Sequence, residues 1–145
     1  MFDTDRLKRC QFKPRTATVK VTPLAALFAE GETPEFKVRG LSGEEYAQCN
    51  ESAKGYSQVG KIIAGILSQA AAEKVEAIKS SLGLGEGIPE DYAKRIEYLM
   101  AGCVSPAGLD REAVVKIAAI APIEFYWLTN EILRLSGEGA EIAGE

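Results

Sequence analysis

Three cysteines and a few clustered glutamates are the side chains whose types could support nucleophilic or acid–base chemistry. The chain has no histidine. That removes the commonest general base, the base of Ser–His and Cys–His nucleophile pairs, and the commonest transition-metal ligand. A cysteine nucleophile then needs a helix N-terminus or a neighbouring base to lower its pKa. Cys103 falls near the expected end of a helix, where the dipole opposes a thiolate, and Cys49 falls mid-helix. Cys10, Cys49 and Cys103 are widely spaced, odd in number and without a CxxC pair. They read as small buried thiols of a reducing compartment, not as a disulfide framework.

The acidic clusters resolve in the same direction. Ser42-Gly43-Glu44-Glu45 is a capping box, with the Ser42 hydroxyl accepting from the amide three residues on and Glu45 reaching back. Glu51 lies on a solvated face beyond it, and Glu73 and Glu76 with Lys74 and Lys79 fit exposed helical ion pairs. The string Gly83-Leu84-Gly85-Glu86-Gly87 lacks both GxGxxG spacing and a following GKS or GKT, and Glu86 would repel a phosphate. It reads as a helix-to-helix connection. No Asp-x-Asp calcium loop is present. No catalytic, cofactor or metal site is expected, and the chain does not read as an enzyme.

The elements that would position any site are mostly helical. Thr16 to Thr22 and Glu35 to Arg39 alternate in period two, with Phe36 and Val38 on one face, and predict a small antiparallel hairpin over about residues 16–40. Leu24 to Phe28 in the connection supplies a helical turn to cover it. From the capping box onward the pattern is helical, over about residues 42–136. A first helix weakens near Gly55, and a long one carries Val59, Ile62, Ile63, Ile66 and Leu67 on to Leu82 before Gly83. Pro89, Glu90 and Asp91 open a helix carrying Tyr92, Ile96, Leu99, Met100 and Cys103. Asp110 caps another, and Pro122 either kinks it or opens a last one. The expected class is mainly α, about four to five helices with an N-terminal β-hairpin. Residues 1–15 form an irregular basic arm, 16–137 a single domain, and 138–145 a flexible acidic tail.

Charge is unevenly distributed. The first 20 residues hold six basic against two acidic side chains, a balance of +4, so the remaining 125 carry −8 of the total −4. The arm suits an acidic neighbour; nucleic-acid binding is disfavoured because Phe2 and Phe12 are its only aromatic residues. No run approaches the roughly 18 apolar residues of a membrane span, and no signal peptide is visible, which predicts a cytoplasmic protein.

The apolar surplus is greatest in PIEFYWLTNEILRLSG, Pro122 to Gly137. Its large residues occupy more of the helix circumference than one buried stripe absorbs. The helix is either a central core element or a surface offered to another chain. On the second reading the candidate protein interface is Phe36 and Val38 with Phe125, Tyr126, Trp127, Leu128 and Ile132.

Two stretches carry a resemblance. Phe36-Lys37-Val38-Arg39-Gly40-Leu41-Ser42-Gly43-Glu44-Glu45 resembles the strand-to-capped-helix opening of small tail assembly chaperones from long-tailed, siphovirus-type bacteriophages and prophages. Phe125-Tyr126-Trp127-Leu128-Thr129-Asn130-Glu131-Ile132-Leu133-Arg134-Leu135-Ser136-Gly137, with the Gly-rich acidic end after it, is similar to how such chains finish. The likeness spans Thr16 to Gly137 loosely. It implies a non-enzymatic protein of the bacterial host cytoplasm that forms homo-oligomers and coats the tape measure protein until tail tube subunits polymerise around it. The alternatives are a phage structural or connector protein and a small regulator binding nucleic acid through its basic arm.

Overall fold

A computed structural model describes residues 1–67 and 90–142, with only the backbone described for 56–67. In chain order it contains α1 (Thr4–Arg9), β1 (Thr16–Lys20), a 3-10 helix (Thr22–Leu27), β2 (Glu35–Arg39) and α2 (Gly43–Leu67). After the undescribed stretch come α3 (Glu90–Gly102), β3 (Cys103–Ser105), α4 (Arg111–Ile120) and α5 (Pro122–Gly137). The described chain is mainly helical with one small antiparallel sheet.

The expected hairpin is present, with Thr16 opposite Arg39 and Lys20 opposite Glu35, and the 3-10 helix fills its connection. The sheet has a third strand, however. β3 pairs antiparallel with β2, Cys103 opposite Val38 and Ser105 opposite Lys37, so β2 is central. Cys103 therefore lies in a strand and not on the helix assigned to it. Three residues are too few to show period-two alternation, which is why the strand escaped the sequence pattern.

Two further expectations are corrected. The arm holds a short helix, α1, capped by Asp3, whose Oδ1 accepts from the Arg6 amide at 3.0 Å. Leu7 alone gives that turn no apolar period. Near Gly55 there is no weakening: α2 runs without interruption from Gly43 to Leu67. An isolated glycine lowers helix propensity by only about 1 kcal/mol, which packing along α3 outweighs. The rest of the expected long helix, Gly83 and its linker, and Pro89 lie outside the described residues.

The caps agree with the sequence. Ser42 Oγ accepts from the Glu45 amide at 3.2 Å and Glu45 Oε1 accepts from the Ser42 amide at 3.0 Å. Asp110 Oδ1 accepts from the Ala113 amide at 2.8 Å, and Pro122 occupies the first turn of α5.

Helix α5 is the hub. Phe125, Leu128, Thr129 and Ile132 are fully enclosed between α3, α4 and the inner face of β1 and β2. Each large apolar side chain buried there stabilises by about 1.5–3 kcal/mol. The end of β2 meets the end of α5 backbone to backbone: a Cβ on Gly40 would stand 3.0 Å from Leu135 C and Ser136 N. A side chain at this position would require the α5 backbone to give by a few tenths of an ångström. The close approach lets the Leu41 amide donate to Ser136 Oγ at 2.8 Å, while Ser136 Oγ donates to the Ile132 carbonyl at 2.7 Å. Beyond α5, the Glu141 amide donates to the Lys13 carbonyl at 2.9 Å, placing the described tail residues beside the arm. No helix among the described residues is long and apolar enough to cross a membrane.

Candidate functional site

The seven candidate interface residues divide between core and surface. Phe36 and Val38 point from β2 into the core, and Phe125, Leu128 and Ile132 are fully buried on the inner face of α5. These five are corrected from interface to core. The physical reason is phase: positions 125, 128, 129, 132 and 135 fall on one side of an α-helix, and that side is enclosed. Tyr126 (40% exposed) and Trp127 (54%) remain on the surface.

Tyr126 is not idle there. The Arg95 guanidinium lies 4.5 Å from its ring centroid and also donates to Thr129 Oγ1 and Asn130 Oδ1, both at 2.7 Å, and to Asp91 Oδ2 at 2.9 Å. Tyr126 is thus half of a clamp between α3 and α5. Trp127 shares the outer face of α5 with Ile123, one turn away and 58% exposed.

A groove also opens on the described surface. It encloses about 490 Å³ between the 3-10 helix, β2, the segment after β3, and α4. Leu24, Leu27, Phe28, Leu109, Ile117 and Ile120 line it, with Phe36 among them. Leu27 (78% exposed) and Ile120 (59%) stand open to solvent. Glu32 and Lys116 contribute one charge of each sign. Ile123 and Trp127, on the outer face of α5, are exposed as well but do not line the groove. A periodicity signal did exist: Ile120 falls about a third of a turn off the stripe of Val114, Ile117 and Ala118, and Ile123 stands nearly opposite the buried stripe of α5. It becomes readable only once the inward phase of each helix is known.

A second pocket, of about 310 Å³ between α2 and α3, has a mixed lining that includes Glu45, Cys49, Glu97 and Met100. Its carboxylates are already engaged. Arg39 grips Glu45 through two hydrogen bonds of 2.9 and 2.5 Å, which with the Ser42 cap lowers that carboxyl to about 2. Glu97, almost wholly buried, pairs with Arg111. Burial, then the neighbouring charges of Glu97 and Glu45, push the Cys49 thiol up to about 11. Burial does the same to Cys103. Both are thiols, not thiolates, at neutral pH. Among the described residues no group of three His, Cys, Asp or Glu could hold a metal ion.

No protein-family model, curated protein or solved structure matches the chain. The described surface offers an apolar groove and, on the outer face of α5, exposed apolar side chains.

Proposed function

We propose that the chain is a tail assembly chaperone of a long-tailed phage or prophage. It associates with further copies of itself and holds the tape measure protein during tail morphogenesis, with tail tube protein as a possible later partner, and transforms no substrate. One observation carries this reading: Leu27, Ile120, Ile123 and Trp127 are more than half exposed, around and beyond an apolar groove of about 490 Å³. Large side chains left in water beside a concave apolar wall suit an amphipathic helix, which presents anchors at i, i+3 or i+4 and i+7. A long helical partner such as a tape measure protein repeats that pattern many times. The opposite charges of Glu32 and Lys116 leave the groove without a net electrostatic preference, which fits a client recognised by its apolar stripe.

Co-expression with the tape measure protein tests this. The wild-type chain retains the partner in soluble form. Leu27→Asp with Ile120→Asp, both at open positions, keeps the thermal unfolding midpoint and lowers retention roughly ten-fold or more, because an unpaired carboxylate resists burial. A wild-type chain that retains no tape measure protein, or a double variant that retains it equally, refutes the proposal.

A further inference from the structure

Strand β1 is an edge of the sheet, and its outer side has no strand partner among the described residues. The Gly40 amide donates to the Arg15 carbonyl at 2.9 Å, and the Val21 amide to the Pro34 carbonyl at 2.8 Å. In an antiparallel strand the N–H and C=O of one residue point to the same side, and successive residues alternate. Arg15, Ala17, Val19 and Val21 therefore spend their backbone groups on β2, and Thr16, Thr18 and Lys20 turn theirs outward. These three residues are exposed, and β1 contains neither a proline nor a bulge against β2. Such devices normally blunt an edge. Ala17 and Val19 stay half-buried at the rim of the core beneath it.

We infer that two copies of the chain join β1 to β1, antiparallel about a two-fold axis at Thr18, into one six-stranded sheet. This locates the self-association included in the proposed function and rests on that reading only for the expectation that copies meet.

A second copy suits the edge because one register satisfies it throughout. With Thr18 opposite Thr18, Thr16 faces the partner's Lys20, and all outward groups pair in about six hydrogen bonds. Centring on Thr16 would ask Pro14, which has no N–H, to donate. Centring on Lys20 would set two ammonium groups face to face. Shifting the axis to Ala17 or Val19 leaves about four bonds. In the Thr18 register each Lys20 keeps Glu35 as its neighbour within the sheet. The two copies of Lys37, each beside its own Thr18, stand three strand spacings apart, roughly 14 Å, beyond the screening length of about 8 Å. On the inner face Ala17 meets the partner's Val19, covering the apolar rim.

The test uses sedimentation of the full chain across a concentration series. Thr18→Pro removes only an outward N–H, which an edge strand tolerates, and its preceding residue is already extended. The variant keeps the wild-type circular dichroism and shifts the dimer midpoint to about thirty-fold higher concentration, two hydrogen bonds being lost per dimer. In a Cys10→Ser background, Thr18→Cys forms a covalent dimer on mild oxidation, since opposed hydrogen-bonded residues have Cα atoms about 5.5 Å apart. Thr16→Cys does not, because its two copies lie roughly 13 Å apart along the strands. A wild-type chain that stays monomeric, a dimer indifferent to Thr18→Pro, or cross-linking at Thr16→Cys but not Thr18→Cys overturns the pairing. Retention of the tape measure protein, measured separately by co-purification, stands or falls independently of those outcomes.

Discussion

Arg39 and Glu45 join the last residue of β2 to the first turn of α2, and one carboxylate serves both as ion-pair partner and as helix cap. The Glu45 carboxyl is lowered from its ordinary 4.5 to about 2, chiefly by the Arg39 hydrogen bonds. A depressed acid stabilises the fold fully above its unfolded pKa and loses that contribution as pH falls toward the folded one. Stability should therefore decline between about pH 4.5 and about pH 2, with Glu131, also lowered by an arginine, adding in the same direction. Urea unfolding across that range checks this: Glu45→Gln should flatten the acid limb and lower stability at neutral pH by about 1 kcal/mol, since glutamine keeps the cap but loses the ion pair with Arg39. An acid limb unchanged by Glu45→Gln would assign the decline to other carboxylates. The capping half of this unit was legible as Ser42-Gly43-Glu44-Glu45, because it is local. The Arg39 half was not, because the strand's final turn toward α2 brings it there.

At the scale of elements, α3 and α5 are held by the Arg95 fork, which spans Asp91, Thr129, Asn130 and the Tyr126 ring. Lysine keeps the charge but has neither the fork nor the flat face. Arg95→Lys should cost about 1–2 kcal/mol in denaturant unfolding, and a double-mutant cycle with Thr129→Val should show positive coupling. Strict additivity would mean that the Arg95–Thr129 hydrogen bond adds nothing to the joining of the two helices. Neither residue stood out in the sequence, since Arg95 reads as one of several charges on a solvated face and Thr129 as a polar interruption. The elements themselves divide similarly. The hairpin, the Asp110 cap and the proline start of α5 follow from local rules. β3 and the continuity of α2 through Gly55 depend on β2 and α3 being already in place.

In the molecule as a whole, the stretches Phe36 to Glu45 and Phe125 to Gly137 meet: Gly40 and Leu41 abut Leu135 and Ser136 in a close backbone contact. The apolar surplus of α5 is divided between them and solvent. Its inner side closes the core, and its outer side leaves Ile123 and Trp127 exposed. Sequence could show the surplus but not this division, because apolar residues ring the helix and the phase is set by the sheet and α4. The division has a direct optical consequence, since Trp127 is the chain's single tryptophan. With its indole half in water, the isolated protein should emit as a partly hydrated tryptophan and be readily quenched by acrylamide. Capture of the tape measure protein, where it covers the outer face of α5 as well as the groove, should shift the emission to shorter wavelength and protect it from quencher. The Thr18→Pro chain should show the same change, because β1 lies apart from the outer face of α5. A complex that forms without altering Trp127 emission would move the client off α5 and onto the groove alone, since desolvating an exposed indole cannot leave its environment unchanged.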